Sequence, residues 1–147
     1  MENPQNELEN IMNQINVYKR QYEIVQQQID NIQTSLNEVE ILEATMNDVQ
    51  GKNNLNTLVS VGAGSFMEAK IDNTDEIIMN IGAGVVIKKN IDDAKKTTAQ
   101  QKKELQQSLD KMLAKLEEIS QVISQLSPKA EELMMKARTG QQPQMTV

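Results

Sequence analysis

A regular spacing of apolar residues at both ends of this chain constrains its fold more than any other feature. Between Leu8 and Val39 apolar residues recur at alternating steps of three and four, and between Ile91 and Ala137 a similar series recurs with one gap, between Thr98 and Leu105. This spacing places them on one side of an α-helix, and over many heptads it is typical of a coiled coil. We call each stripe a seam. The first seam consists of Leu8, Ile11, Ile15, Tyr18, Tyr22, Val25, Ile29, Ile32, Leu36 and Val39. The second consists of Ile91, Ala94, Thr98, Leu105, Leu109, Met112, Leu116, Ile119, Ile123, Leu126, Ala130, Leu133 and Ala137.

Capping residues mark the ends of the two predicted helices. Asn3 before Pro4 suits the start of the first helix, Gly51 suits its end near Val49, and Asn90 suits the start of the second. Polar residues interrupt both seams, Glu43 in the first and Gln101 or Lys102 in the second. The predicted divisions are an N-terminal helix over 1–52, two β-hairpins over 53–90, a C-terminal helix over 91–138 and a disordered tail over 139–147.

The segment between the helices contains an internal repeat. Residues 58–67 align with residues 78–87, and each copy has a Gly-Ala-Gly tripeptide between β-branched residues. Each copy therefore predicts strand, glycine turn, strand, and the polar residues 72–75 predict a turn between the copies. A dinucleotide-binding loop would need a third glycine where this chain has Met67 and Ile87, so we interpret the glycines as turn residues.

These elements predict an α+β fold that is mainly α, a long antiparallel coiled-coil hairpin with two β-hairpins inserted between its helices. Pairing the helix ends places Ile15 near Leu126. A four-stranded insert has open edges and little apolar surface, so we expect it to be an oligomerisation base that pairs with other subunits. The predicted oligomer interface consists of Val59, Val61, Phe66, Ile78, Ile81 and Val86.

Composition excludes most enzyme chemistry. The chain has no Cys and no His, so thiol chemistry, imidazole catalysis and the commonest zinc ligands are excluded, and we expect no enzyme, cofactor or metal site. Aromatic residues are 2% of the chain, too few for a thick globular core. The net charge of −6 disfavours nucleic-acid binding. Without a signal peptide or an apolar run of about 20 residues, we expect a soluble cytoplasmic protein and no membrane partner.

Several apolar residues lie off the seams, all in the half of the predicted hairpin far from the strands. A deliberately exposed apolar surface signals binding, and flexible Met suits varied partners. Packing against a neighbouring helix explains these residues equally well from spacing alone. The predicted substrate-binding residues are Met12, Val17, Ile24, Val122, Met134 and Met135.

The two long helices and the doubled hairpin segment resemble the prefoldin family, and the Gly-Ala-Gly segments at 61–66 and 81–85 look like its alpha class, of the archaeal type. The resemblance covers residues 8–138 and includes the Leu126-Ser127-Pro128 stretch. It implies a heterohexamer of two alpha and four beta subunits. It also implies a holdase that captures non-native proteins without ATP and delivers them to a group II chaperonin. The alternative function is a structural coiled-coil adaptor or tether with one specific partner.

Overall fold

A computed structural model describes residues 3–140, and these residues form two helices and four strands. The elements are α1 (Pro4–Val49), β1 (Leu55–Gly62), β2 (Ser65–Ile71), β3 (Glu76–Gly82), β4 (Val85–Asn90) and α2 (Ile91–Thr139). The predicted fold class is confirmed, because the chain is mainly helical and has two antiparallel hairpins between its helices. The predicted disordered tail lies, from residue 141 onwards, outside the described residues.

The helix ends form at the predicted capping residues. Asn3 Oδ1 accepts a hydrogen bond from the Gln5 amide at 3.2 Å, and Asn90 Oδ1 accepts one from the Asp92 amide at 2.8 Å. Each side chain thereby satisfies an amide that the first helical turn leaves without a backbone partner. Gly51 follows α1 with φ of 79°, the left-handed conformation that ends a helix at little cost only for glycine.

The chain divides into two compact units. The first, here called the terminal unit, comprises residues 1–33 and 108–147, and the second, the strand unit, comprises residues 34–107. In the terminal unit the seams of α1 and α2 bury each other antiparallel, because residues early in α1 pack against residues late in α2. Ile11 and Ile15 cluster with Ala130, and Val25 and Ile29 cluster with Ile119.

In the strand unit, the second hairpin packs on the helices. Met79 of β3 is buried with Met46 of α1 and with Ile91 and Ala94 of α2. The loop before β3 is tied to the helix ends as well. The Thr74 hydroxyl donates to the Lys52 carbonyl at 2.6 Å, and the Ile91 amide donates to the Asp75 carbonyl at 2.8 Å.

The strands form two separate two-stranded antiparallel sheets, β1 with β2 and β3 with β4. Both hairpins turn through the repeated tripeptide, as predicted. Ala63 and Gly64 have φ of 48° and 72°, and the equivalent Ala83 and Gly84 have φ of 52° and 76°. Two successive residues with positive φ are characteristic of a tight type I′ hairpin turn. The pairing register shifts before each turn, between Ser60 and Gly62 and between residues 80 and 82.

The polar interruptions of the two seams meet in the strand unit. Lys102 Nζ lies 3.5 Å from Glu43 Oε2, and both side chains are about one-third exposed, at 30% and 39%. Nearby, Thr98 is fully buried and its hydroxyl donates to the Ala94 carbonyl at 2.8 Å. Counted in heptads from Ile91 at position a, Thr98 is also at position a, whereas Leu109, at position a of the following heptads, lies eleven residues later instead of fourteen. Gln101 and Lys102, which lie where the heptad frame changes, are both half-buried.

Candidate functional site

The seam residues of the terminal unit are buried or half-buried, and they define where a binding surface cannot lie. Ile15 and Leu126 belong to one cluster, so the predicted pairing of these two residues is confirmed. Tyr18, Tyr22 and Ile123 are half-buried around the second cluster. Any surface available for a partner must therefore come from residues beside this seam.

All six predicted substrate-binding residues lie in the terminal unit, and five of them are exposed. Met12 and Met134 are 40% and 39% exposed, and Met135 is the most exposed of the set at 70%. Val17 and Ile24 expose half or more of their surface. Val122 differs because it is half-buried, and so it presents less surface than the spacing suggests.

Heptad positions show that these residues do not form one patch. With Leu8 and Leu109 at position a, Met12 and Met134 both fall at position e. Val17 and Ile24 fall at c, and Val122 at g. Met135 falls at f, directly opposite the seam. In an antiparallel pair, positions e and b of both helices share one flank and positions g and c share the other.

The structure identifies the first of these flanks directly. A shallow groove of ≈ 280 Å³ lies between the helices, with the seam residues Tyr22 and Ile123 among those that line it. Its other lining residues are at positions e and b, namely Lys19, Glu23, Ser120 and Ser124. We call this side the groove flank and the side with positions g and c the opposite flank. Met12 and Met134 lie on the groove flank, whereas Val17, Ile24 and Val122 lie on the opposite flank.

Two exposed large apolar residues of the helices were not predicted. Leu113 is 45% exposed at position e of α2, so it belongs to the groove flank. It follows the seam residue Met112, and assigning heptad letters along α2 would have found it. Ile41, on α1 in the strand unit, is 66% exposed at position f, opposite the seam. It was not among the predicted binding residues because those lie in the half of the hairpin far from the strands.

The six predicted interface residues of the hairpins are all exposed in this single chain. Phe66, Ile78 and Val86 are at least 60% exposed. Val59, Val61 and Ile81 expose about half of their surface. Successive residues of each strand lie on opposite faces of its hairpin, and two residues paired across the strands lie on the same face.

The two hairpins differ in how much their own chain covers them. Met79 pairs with Ile87 on the face of the second hairpin that packs on the helices. Its other face carries Ile78 and Val86, with an exposed ion pair of 2.9 Å between Glu76 and Lys88. In the first hairpin, no residue of β1 or β2 is buried. Apolar surface and unpaired strand edges are therefore concentrated on the first hairpin and on the outer face of the second.

Within residues 3–140, acidic side chains do not gather into any group of three or more that could hold a metal ion. In the same part of the chain, neither helix has a stretch apolar enough to cross a membrane.

Comparisons with known proteins agree with this architecture. The family model Prefoldin, described as prefoldin subunit, matches residues 18–136. The chain is 45% identical over 134 residues to prefoldin subunit alpha of Methanobrevibacter smithii, covering 91% of this chain and 92% of the relative. It is 31% identical to prefoldin subunit alpha of Methanosarcina barkeri, covering 82% and 87% of the two chains.

A solved structure shows the same fold at low sequence identity. It is a cryo-EM structure of filamentous PFD from Methanocaldococcus jannaschii, with a TM-score of 0.53 and 20% identity. The match covers 82% of this chain and 95% of the other.

Proposed function

This chain belongs to the prefoldin family, as an alpha subunit of the archaeal type, and from that premise we propose that it is a chaperone subunit that holds non-native proteins on its terminal unit. One observation carries the proposal. The seam of the terminal unit is covered by the partner helix, whereas six off-seam apolar residues of the same unit, the five predicted ones and Leu113, remain exposed.

Exposure of these side chains costs free energy that a bound client would recover. Covering apolar surface contributes about 25 cal/mol per Å² before the entropic cost of association is subtracted. Three of the six residues are methionines, whose flexible side chains adapt to clients of different shape. Contacts of this kind are weak individually and tolerant of sequence, which suits reversible holding.

We propose that the hairpins assemble the subunit with others, two alpha subunits with four beta subunits. The support is physical. An isolated two-stranded hairpin is at best marginally stable, and its free edges and exposed apolar residues are covered when strands of another subunit add to them. Val61 of the first hairpin and Ile81 of the second occupy equivalent positions in the repeat, and both are about half exposed.

The prefoldin family is a family of chaperones rather than enzymes. We propose that this member works in the cytoplasm without ATP and delivers its clients to a group II chaperonin. The role of the Gly-Ala-Gly tripeptides supports independence from nucleotide. Gly62, Gly64, Gly82 and Gly84 all have positive φ, so the hairpin turns account for each of them.

A substitution series on the terminal unit tests the holdase function. Met12, Val17, Ile24, Met134 and Met135 are changed together to Gln, which preserves helix propensity and removes apolar surface. The matched control changes five exposed polar residues of the same unit to Ala, namely Asn13, Gln21, Gln27, Gln121 and Gln125. We expect the first variant to assemble normally but to lose suppression of aggregation of a denatured client, and the control to retain it.

Full protection by the Gln variant would show that clients bind elsewhere. A further result would favour the adaptor function instead. If the wild-type complex protected no unrelated denatured protein, and the Gln variant lost one specific partner in a binding assay, the surface would be a dedicated docking site.

A further inference from the structure

The two flanks of the terminal unit carry different charge. Exposed acids outnumber exposed bases on the groove flank and bases outnumber acids on the opposite flank. The groove flank has Glu9, Glu23, Asp110, Glu117 and Glu131 against Lys19 and Arg138. The opposite flank has Lys111, Lys115, Lys129 and Lys136 against Glu7, Glu118 and Glu132. Asp30 shares the groove flank and already has an interaction of its own.

The groove flank combines this charge with apolar surface. Met12, Leu113 and Met134 are each about two-fifths exposed on it, and Tyr22 and Ile123 help to line its groove. Glu23 and Lys19 both line the same groove, so the charges at the groove itself balance, and the acidic excess of the flank comes from its other carboxylates. On the opposite flank, exposed acids do not outnumber exposed bases around the apolar residues Val17, Ile24 and Val122.

We propose that the groove flank selects segments of non-native proteins in which apolar residues alternate with basic ones. This inference rests on the proposed holdase function and names its substrate class. Apolar side chains of the client cover the methionines and Leu113 and enter the groove, while its Lys or Arg side chains lie beside the flank's carboxylates. Ion pairs of this kind are exposed, so each contributes little, and the preference comes from several acting together.

Ionic strength separates the two contributions. Attraction between exposed charges is largely screened beyond about 8 Å at physiological salt, whereas apolar contacts persist. The preference for basic segments must therefore shrink as salt rises, while binding itself remains. A preference that did not change with salt would have to come from side-chain shape.

Three synthetic peptides provide the test on the assembled full-length complex. They share the same apolar residues and differ only in having Lys, Gln or Glu between them. We expect the Lys peptide to bind about fivefold more tightly than the Gln peptide at low salt, the effect of about two exposed ion pairs. The Glu peptide should bind more weakly than the Gln peptide, and the three affinities should converge at high salt.

Adjacent glutamates offer a matched pair of variants. Glu117 and Glu131 lie on the groove flank, and their neighbours Glu118 and Glu132 lie on the opposite flank of the same helix. Glu117→Lys with Glu131→Lys should abolish or reverse the peptide preference. Glu118→Lys with Glu132→Lys makes the same change in net charge and should leave the preference intact, although it also removes the exposed 3.0 Å pair between Glu132 and Lys136.

Equal affinities for the three peptides, or equal responses of the two variants, would overturn the proposed selection. If aggregation of a denatured client were still suppressed, the holdase function would survive that result. Absence of both peptide binding and suppression would overturn the holdase function and the selection together. Tighter binding of the Glu peptide would contradict selection by the groove flank and would indicate that the peptides bind to the opposite flank.

Discussion

At the residue scale, Glu43 and Lys102 show how two apparent defects can compensate each other. Each residue places a polar side chain at or beside its seam, where it would weaken the helix pairing if the other residue were absent. Across the pair they lie 3.5 Å apart, so each charge gains a counterion in a partly buried position. The contact is an ion pair without hydrogen-bond geometry. Glu43 Oε2 is therefore buried without a hydrogen-bonding partner among the described residues.

This geometry predicts that an apolar pair would be more stable than the ionic one. Replacing a buried ion pair by apolar residues of similar volume is often stabilising, and this pair, about one-third exposed, should show part of that gain. We expect Glu43→Leu with Lys102→Leu to raise the free energy of unfolding by about 1 kcal/mol. Lys102→Leu alone should lower it by a similar amount, because the Glu43 carboxylate would then lack its counterion.

Thermal and urea unfolding followed by circular dichroism would measure both changes. Lys103→Leu is the control, since Lys103 is the exposed neighbour of Lys102 and its replacement should change stability little. A double variant less stable than the wild type would mean that the ion pair stabilises this part of the seam more than apolar packing does.

At the element scale, the hairpin turns contain a residue that is not ideal for its conformation. Ala63 and Ala83 adopt φ of 48° and 52°, a left-handed conformation that costs an alanine roughly 1 kcal/mol. Asparagine tolerates this conformation better, and Asn-Gly is the preferred centre of a type I′ turn. We expect Ala63→Asn and Ala83→Asn each to stabilise the assembled protein by about 0.5 kcal/mol, measured as a higher midpoint in urea.

The matched opposite change is Gly64→Ala, which places a side chain at φ of 72° and should lower the midpoint. Among the described residues, no heavy atom beyond the two chain neighbours lies within 4 Å of the position that this new Cβ would occupy, so backbone strain alone would cause the loss. If the asparagine variants were less stable, a partner subunit would have to contact the alanine methyl groups closely.

The elements themselves were predictable from the sequence because each has a local signal. Three-and-four spacing predicted both helices, the repeated tripeptide predicted both hairpins, and Asn3, Gly51 and Asn90 predicted the helix ends. What the sequence did not reveal depends on contacts between elements. The Glu43–Lys102 pair needs the register of one helix against the other. Burial of Thr74 comes from its bond to Lys52, a residue 22 positions away.

The same limit applies to the candidate site. Spacing identified residues that lie off the seam, and five of the six are exposed. It did not divide them between two flanks, because a list of off-seam residues does not record on which side of the seam each one falls. Nor did it distinguish the two hairpins, whose sequences are similar, although only the second buries a strand residue, Met79, against the helices.

At the scale of the whole molecule, the exposed strands predict that assembly depends on the hairpins. Val61→Asp with Ile81→Asp introduces charge at equivalent positions of the two hairpins, where assembly would desolvate it. We expect this variant to dissociate, as measured by native mass spectrometry and sedimentation. Ile24→Asp with Ile41→Asp makes the same change in charge at exposed residues of α1 and should leave the oligomer intact. An intact oligomer in the first variant would mean that the helices hold the assembly together.

We expect the proposed client binding to depend on assembly through valency. If one chain offers only a few exposed apolar residues, a single subunit holds a client weakly, and several linked subunits hold it much more firmly through their effective concentration.

Mixed complexes can measure this connection. Wild-type subunits are combined in increasing proportion with the variant in which Met12, Val17, Ile24, Met134 and Met135 are Gln, and suppression of client aggregation is recorded at constant total concentration. We expect protection to fall more steeply than the wild-type fraction, because losing one binding surface weakens the hold of those that remain. Mixtures prepared with the variant carrying Ala at Asn13, Gln21, Gln27, Gln121 and Gln125 should show no such fall. A strictly linear decline would show that each subunit holds clients independently, in which case assembly would serve some purpose other than affinity.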